Sequence, residues 1–235
     1  MLNQITTKLK TYEGNPPVED LRKAAVLIAI VDCDDPELIY TLRSNKVGSH
    51  GGEVSFPGGM REKEDTSLEM TALRESEEET GLNRGQVHII GSTDTVVSRY
   101  NVSVTPYVGI VPPDIKLNND SEEIEACFRV PISFLLEDKR HRNDHIEKNG
   151  ESFFMPAYKF ESFIIWGLTA MMTVDEIVAM QDKRERRKKA WVIKQLMTAR
   201  DCLGCGFVPF KEAELDDDGY EIPNECTCFG HDEEL

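Results

Sequence analysis

The sequence lacks any long run of apolar residues. Although 40% of its 235 residues are hydrophobic, no segment approaches the roughly 18 consecutive apolar positions that a membrane-spanning helix needs. The balance of hydrophobic residues against 30% charged residues is typical of globular proteins. These features exclude a membrane-spanning protein, and the length predicts one enlarged domain or one domain with an appendage.

Positive charge is also scarce. The chain has 27 Lys and Arg against 43 Asp and Glu, which gives a formal net charge of -16 at pH 7. Because such a surface repels phosphate backbones, we expect no nucleic-acid partner. Binding of a small anionic substrate would require basic side chains or a divalent metal to neutralise its charge locally.

Cysteines and targeting signals are few. Six cysteines are too sparse and too unevenly placed for a secreted disulfide framework, which indicates a reducing compartment. The first residues lack the apolar core of a secretory signal, and Lys8 and Lys10 give only a faint likeness to a mitochondrial presequence. We expect a free polar N-terminus and an intracellular protein, either cytoplasmic or mitochondrial.

The apolar pattern predicts strands, a helix, further strands and a second helix. Residues 24–31 form a continuous apolar run, which predicts a strand buried on both faces, and residues 37–44 predict a second strand. Further predictions are strands over 87–91, 96–111 and 125–130, a short helix or turn over 130–136 and a helix from 164. Alternation without regular βαβ spacing favours an α/β (α+β) fold, in which a mixed β-sheet is sandwiched between helices.

The predicted central helix follows a glycine-rich segment. Pro57, Gly58 and Gly59 are expected to break regular structure before the helix. Capping residues predict that this helix begins near Thr66 or Ser67 and ends at Gly81.

The composition changes after about residue 180. Residues 183–189 contain six basic residues around a single acid, as is typical of a solvated helix, and residues 212–235 contain ten acids with no Lys or Arg. Cysteines at 202, 205, 226 and 228 allow a small zinc site, although reduced thiols are the default interpretation. We therefore divide the chain into an N-terminal segment over 1–20, a main domain over 21–180 and a C-terminal extension over 181–235.

Three carboxylates share one face of the predicted central helix. Glu75, Glu78 and Glu79 are spaced i, i+3 and i+4, whereas Met70 and Leu73 point the other way. Like charges so close destabilise a helix unless cations neutralise them, and hard oxygen ligands suit Mg²⁺ or Mn²⁺ bound together with substrate phosphates. The alternative interpretation is an ordinary solvated acidic face.

Neighbouring residues favour the metal-site interpretation. Gly58 and Gly59 allow the backbone to approach a ligand closely, and a free carbonyl at either glycine would add an oxygen ligand. Arg74, next to Glu75, is placed to hold one carboxylate in position by a bidentate pair.

Residues 56–82 resemble the box that defines the Nudix hydrolases. The matching positions are Gly59, Asp65, Arg74, Glu75, Glu78, Glu79, Gly81 and Leu82. Two departures from the commonest box are one extra residue and Ser76 at a usually hydrophobic position. Both departures resemble the coenzyme A diphosphatase branch of the family.

A second segment, residues 41–59, also resembles that branch. The matching positions are Thr41, Arg43, Ser44, His50, Gly52, Val54, Phe56, Pro57, Gly58 and Gly59. Gly48 differs, because the branch has an arginine there that is associated with coenzyme A binding. The resemblance covers about residues 20–175 and implies a Nudix fold that hydrolyses the pyrophosphate of coenzyme A or its esters.

The resemblance also implies roles for individual residues. It implies that divalent metals, Mg²⁺ or Mn²⁺, bridge the substrate pyrophosphate and activate the attacking water. The implied metal ligands are Glu75, Glu78, Glu79 and the carbonyl of Gly58, with Arg74 orienting Glu75. The expected substrate-binding residues are Arg43, Ser44, His50 and Gly59.

The general base and the exact substrate stay open between alternatives. Glu78 is one candidate base, and Glu123, on a separate acidic loop, is the other, since a base must reach the water in the assembled site. Glu123 is equally well explained as an ordinary loop acid. Rival functions are hydrolysis of ADP-ribose or dinucleotide polyphosphates, and a catalytically silent Nudix module that binds a nucleotide or a protein. The intact acid set argues against the silent module.

Overall fold

The computed structural model describes most of the first 180 residues. The described residues are 2–12, 14–45, 51–118, 122–137, 139–148, 151–180, 214–215 and 221–222. The chain separates into one unit of Met1–Asp144 with Met155–Asp182 and another of His145–Phe154 with Lys183–Leu235. Within the described residues, every helix is too short or too polar to cross a membrane.

Helices and strands alternate along the chain. The helices are α1 (Leu2–Leu9), α2 (Leu68–Thr80), α3 (Ile132–Leu136) and α4 (Gly167–Met180), with a 3₁₀ turn at Arg84–Gln86. The strands are β1 (Arg22–Val31), β2 (Glu37–Arg43), β3 (Val54–Ser55), β4 (Gly58–Met60), β5 (His88–Ser92), β6 (Val96–Val97), β7 (Val102–Val111), β8 (Ile124–Pro131), β9 (Arg142–Lys148), β10 (Glu151–Phe160), β11 (Phe163–Ile165), β12 (Glu214–Leu215) and β13 (Glu221–Ile222).

The main sheet is mixed, as predicted. Its central path runs β3-β2-β1-β7-β5, and β8 pairs with β2, β4 with β1, and β6 with β7. Strands β1 and β7 pair in parallel along their whole length, from Arg22 opposite Val102 to Val31 opposite Val111. The other pairs in this sheet are antiparallel.

Helices cover both faces of the sheet. Alternate residues of β1, including Leu27 and Ala29, pack against Leu68 and Ala72 of α2 in a buried apolar cluster. On the opposite face, the Tyr40 hydroxyl of β2 hydrogen-bonds the Thr173 hydroxyl of α4 at 2.9 Å. The predicted sheet between helices is therefore confirmed, and the continuous apolar run of β1 reflects burial on both faces.

Capping fixes the limits of α2 where the sequence predicts them. The Ser67 side chain accepts a hydrogen bond from the Met70 N–H, and Gly81 ends the helix at φ 67°, a left-handed conformation that favours glycine. The buried face is partly polar: Ser76 lies within it, and its hydroxyl donates to the Ala72 carbonyl at 2.6 Å. Leu73 is only half-buried, so Met70 and Leu73 do not form the main apolar face.

Three local expectations were wrong, one of them only in part. The N-terminus is not free, because α1 buries Ile5 and Leu9 completely or nearly so. Pro57 does break regular structure between β3 and β4, but Gly58 and Gly59 do not, because Gly58–Met60 forms β4 against β1. The helix expected from 164 begins at Gly167, since Phe163–Ile165 pairs with β10 as strand β11.

Most of the C-terminal extension is outside the described residues. The basic run at 183–189 and the four C-terminal cysteines fall there, as does the acidic tail apart from the antiparallel pair β12 and β13. The zinc hypothesis and the domain boundaries stay predictions.

Candidate active site

Strand β4 brings two glycines under the acidic face of α2. The Gly58 N–H donates to Glu79 Oε2 at 3.0 Å. The Glu75 carboxylate lies where a side chain on Gly59 would be, since an added Cβ would lie 2.6 Å from Glu75 Oε2. Glycine at both positions therefore allows two carboxylates of the helix to approach the backbone of the strand.

Glu79 is the most buried of the three helix carboxylates. Only 6% of its surface is exposed, and this burial raises the pKa of the Glu79 carboxyl to about 7, although the Gly58 N–H and Arg43 oppose the rise. Burial also raises the pKa of Glu75. Both carboxylates are therefore in surroundings where the ionised form needs additional positive charge.

Arg43 joins this helix to a separate loop. Its Nη1 lies 3.2 Å from Glu79 Oε1, and its Nη2 lies 3.1 Å from Glu123 Oε2. Pairing of β2 with β8 places Arg43 opposite Ile124, the residue after Glu123. The Ser44 N–H donates to the Glu123 carbonyl at 2.7 Å, so the backbone of Ser44 fixes the loop that carries Glu123.

Arg74 makes its bidentate pair with Asp65. Nε and Nη2 of Arg74 each lie 2.9 Å from one Asp65 oxygen, whereas its Nη1 contacts Glu75 Oε1 at 3.0 Å and Glu78 Oε2 at 3.1 Å. The hydrogen bonds from Arg74 hold the pKa of Asp65 well below its usual range. The bidentate pair expected for a helix carboxylate is thus made with Asp65, and Arg74 reaches Glu75 and Glu78 with its remaining nitrogen.

The structure brings most of the predicted site residues together. Two clusters form, one of Gly58, Glu79, Arg43, Ser44 and Glu123, and one of Gly59, Asp65, Arg74, Glu75 and Glu78. Both candidate bases are accessible, with 58% of the Glu78 side chain and 59% of the Glu123 side chain exposed. Each is held by an arginine, so both stay candidates. His50 and Gly48 lie outside the described residues.

The donor set fits a hard divalent cation. Among the described residues, no group of three His, Cys, Asp or Glu side chains is already close enough to hold a metal ion. Glu75 and Glu78 instead pair with Arg74, and Glu79 pairs with Arg43. The two clusters nevertheless contain five carboxylates against two guanidinium groups, and carboxylate oxygens are the ligands that Mg²⁺ and Mn²⁺ prefer.

Asp65 is expected to stabilise the fold as well as the site. Asp65 as a residue is 4% exposed, and its carboxylate also accepts hydrogen bonds from the Glu62 N–H and the Thr71 hydroxyl, both at 2.9 Å. Asp65→Asn should therefore lower the free energy of unfolding by roughly 3 kcal/mol, as expected for breaking a buried ion pair. Chemical denaturation at neutral pH measures this loss.

Glu77, on α2, supplies a matched control. Its carboxylate pairs with Arg84, and both side chains are partly exposed, so Glu77→Gln should cost less than about 1 kcal/mol. Equal losses for the two variants would show that Asp65 is not a special anchor.

Comparison with known proteins identifies relatives of this chain. The NUDIX domain family matches residues 21–149. "Uncharacterized Nudix hydrolase NudL" of Escherichia fergusonii is 39% identical over 149 residues, which cover 63% of this chain and 78% of that protein. The protein of the same name from Yersinia pestis is 38% identical over 149 residues, which cover 63% and 75% of the two chains.

Solved structures with a similar arrangement have low sequence identity. A Caenorhabditis elegans Ap4A hydrolase binary complex matches with a TM-score of 0.42 and 16% identity, over 48% of this chain and 83% of that chain. The NUDIX domain of Shewanella oneidensis NrtR complexed with ADP ribose matches with a TM-score of 0.40 and 15% identity, over 56% and 85%. At this level, the matches concern the fold alone.

Proposed function

Because this chain belongs to the NUDIX family, we propose that it is a metal-dependent hydrolase of coenzyme A or its esters. The reaction cleaves the pyrophosphate to give 3′,5′-ADP and 4′-phosphopantetheine or its acyl derivative. The observation that carries the proposal is the contact between Arg43 and Glu79. Arg43 belongs to the segment that resembles the coenzyme A branch, and Glu79 belongs to the Nudix box, so both motifs contribute to one site.

We assign the metal ligands to the acidic face of α2 and to β4. Glu75, Glu78, Glu79 and the Gly58 carbonyl would hold Mg²⁺ or Mn²⁺, which when bound neutralises pyrophosphate charge and lowers the pKa of an attacking water. Asp65 holds Arg74, and Arg74 in turn orients Glu75 and Glu78. This chain of contacts fixes two carboxylates before substrate arrives.

The remaining residues act on the water and on the substrate. Glu123 or Glu78 accepts the proton of the attacking water, and both have accessible carboxylates held by arginines. Arg43, Ser44, His50 and Gly59 bind the substrate phosphates. The guanidinium of Arg43 is suited to phosphate oxygens because of its planar set of donors.

Product analysis tests the proposal. Purified protein should convert coenzyme A into the two phosphorylated products in the presence of Mg²⁺ or Mn²⁺, and a chelator should abolish turnover. Mass spectrometry after reaction in ¹⁸O-labelled water should find the label in one of the two products, as expected for attack of water on phosphorus. Absence of both products under all metal conditions would contradict the proposal.

Gly48 favours a second candidate substrate class. The arginine of the coenzyme A signature is missing at this position, so hydrolysis of ADP-ribose or a dinucleotide polyphosphate is the alternative for the same site. A silent module that only binds nucleotide is the third possibility, and any metal-dependent turnover above that of a Glu79 variant contradicts it.

Restoring an arginine at Gly48 tests the coenzyme A assignment directly. A lost phosphate contact weakens ground-state and transition-state binding alike, so it raises KM more than it lowers kcat. We expect Gly48→Arg to lower the KM for coenzyme A by about tenfold, the effect of one charge-assisted hydrogen bond. Steady-state kinetics give the KM.

Dephospho-coenzyme A is the control substrate for this variant. An arginine that binds the 3′-phosphate should leave the KM for dephospho-coenzyme A unchanged. Thermal unfolding of the variant checks that the substitution does not strain the loop. An equal improvement for both substrates would mean that the new charge acts without contacting the 3′-phosphate.

A further inference from the structure

Arg43 is hydrogen-bonded to Glu79, one of the carboxylates proposed to bind the metal. Glu79 Oε1 accepts from Arg43 at 3.2 Å, and Glu79 Oε2 accepts from the Gly58 N–H at 3.0 Å, so both oxygens already have donors. Glu79 is nearly buried, which limits the directions from which a cation approaches it. A divalent cation at Glu79 Oε1 would also be repelled by a guanidinium only one hydrogen bond away.

The two arginines of the site differ in how firmly they are held. Arg74 is fixed by its bidentate pair with Asp65 and by a further bond to the Met60 carbonyl. Arg43 has one bond to Glu79 and one to Glu123, whose side chain is mostly exposed. The Nε of Arg43 is buried without a hydrogen-bond partner among the described residues. Arg43 is therefore the arginine with donor capacity left over and with the weaker anchorage.

We propose that Arg43 acts as a latch on the metal-free site: its guanidinium pairs with Glu79 until a divalent cation displaces it. The displaced guanidinium then binds substrate phosphate. The proposal rests on the proposed function, because it assumes that Glu79 is a metal ligand. While latched, the guanidinium is committed to Glu79 and Glu123. Once a cation neutralises Glu79, the same guanidinium is available to an anionic substrate.

The latch couples the two ligands of the site. Arg43 opposes the cation in the absence of substrate and favours the substrate in the presence of the cation. Cation and substrate therefore assist each other, as reciprocal linkage requires. An arginine with a purely structural role would instead favour the folded protein and leave both affinities similar after its removal.

If Arg43 is a latch, removing its charge should strengthen metal binding and weaken substrate binding. Mn²⁺ is titrated calorimetrically into metal-free protein without substrate, at about pH 8.5, so that the carboxylate ligands are ionised. We expect Arg43→Gln to bind Mn²⁺ about tenfold more tightly than the wild type, because a competing charge-assisted contact is removed. At saturating Mn²⁺, the same variant should have a KM for coenzyme A about tenfold higher than the wild type.

Arg84→Gln is the matched control. It removes the same charge from a residue that pairs with Glu77 at the C-terminal end of α2. Because Arg84 bonds to none of the proposed ligands in the described contacts, its Mn²⁺ affinity should stay within about twofold of the wild type. A tenfold gain in this control as well would assign the effect to net charge and overturn the latch.

A measurement on the wild type tests the latch even if the Arg43→Gln variant does not fold. In a crystal structure with Mn²⁺ bound, Arg43 Nη1 should lie more than about 4 Å from Glu79 Oε1, beyond ion-pair distance. Retention of that ion pair beside a bound Mn²⁺, or Mn²⁺ binding by a folded Arg43→Gln variant no tighter than that of the wild type, would overturn the latch. A wild type that binds Mn²⁺ with the pair broken, and does not hydrolyse coenzyme A, would support the latch and contradict the proposed function.

Discussion

Glu79→Gln is expected to lower kcat by at least ~100-fold, the loss typical of removing a key electrostatic group. The substitution keeps the shape of the side chain and removes the charge of the most buried of the three carboxylates, the one proposed to bind a divalent cation. Glu78→Gln should have an effect of the same order, because Glu78 belongs to the same face of α2. Steady-state kinetics at saturating Mg²⁺ or Mn²⁺ measure the kcat of each variant. Near-normal kcat in both variants would contradict the metal-site assignment.

The same variant should make the metal-free protein no less stable. Burial raises the pKa of Glu79 to about 7 in the folded protein from 4.5, so the folded state binds the proton more tightly than the unfolded state. The stability contributed by this group is complete below about pH 4.5 and is lost as the pH rises through about 7. Above that pH, metal-free Glu79→Gln should unfold at an equal or higher temperature than the metal-free wild type.

A control separates this effect from a structural role. At low pH, where Glu79 is protonated in both states, the variant and the wild type should unfold at nearly the same temperature. A large loss of stability in the variant above about pH 7 would instead show that the ion pair with Arg43 stabilises the fold more than the buried charge of Glu79 destabilises it.

Two adjacent glycines should respond to alanine in different ways. A Cβ on Gly59 would overlap the Glu75 carboxylate, which is the end of a side chain and can move away. A Cβ on Gly58 would overlap the Ala25 carbonyl oxygen and the Val26 Cα, which belong to the backbone of β1 and cannot. Gly59→Ala should therefore lower kcat by at least ~100-fold through a misplaced ligand, with little loss of stability.

Gly58→Ala should instead destabilise the folded protein. Overlap with a central strand forces β4 away from β1, and the expected cost is roughly 3 kcal/mol, as for other overpacked sites. Thermal unfolding and activity are measured on both variants. If Gly59→Ala unfolds at as low a temperature as Gly58→Ala, then Gly59 is needed for the fold, and the loss of activity cannot be assigned to a misplaced Glu75.

Local chemistry explains why much of the fold was predictable. The ends of α2 depend on Ser67 and Gly81, whose capping roles act within one turn of the helix. The buried strand β1 is recognisable because both of its faces are apolar. The carboxylates of α2 share a face through helical spacing alone, so Glu75, Glu78 and Glu79 were identifiable without a structure.

Contacts between distant segments explain what the sequence did not reveal. Gly58–Met60 has turn-forming composition and becomes a strand because β1 offers it unpaired backbone groups. The polar N-terminal residues become α1 because Ile5 and Leu9 find a buried surface. Asp65 anchors Arg74, nine residues away, and the Ser44 N–H, at the end of the distant strand β2, holds the loop of Glu123, so local sequence pattern predicts neither contact. The one sequence feature that singled out Asp65 is its match to the acid of the Nudix box.

The most direct test of the account compares substrates. The kcat/KM values of the purified protein are measured with Mg²⁺ and with Mn²⁺ for coenzyme A, its acyl esters, ADP-ribose and dinucleotide polyphosphates. We expect coenzyme A or one of its esters to have the highest kcat/KM, chelation to abolish the activity, and Glu79→Gln to remove it. A higher kcat/KM for ADP-ribose or a dinucleotide polyphosphate would contradict the coenzyme A assignment, and metal-independent turnover of any of them would contradict the proposed site itself.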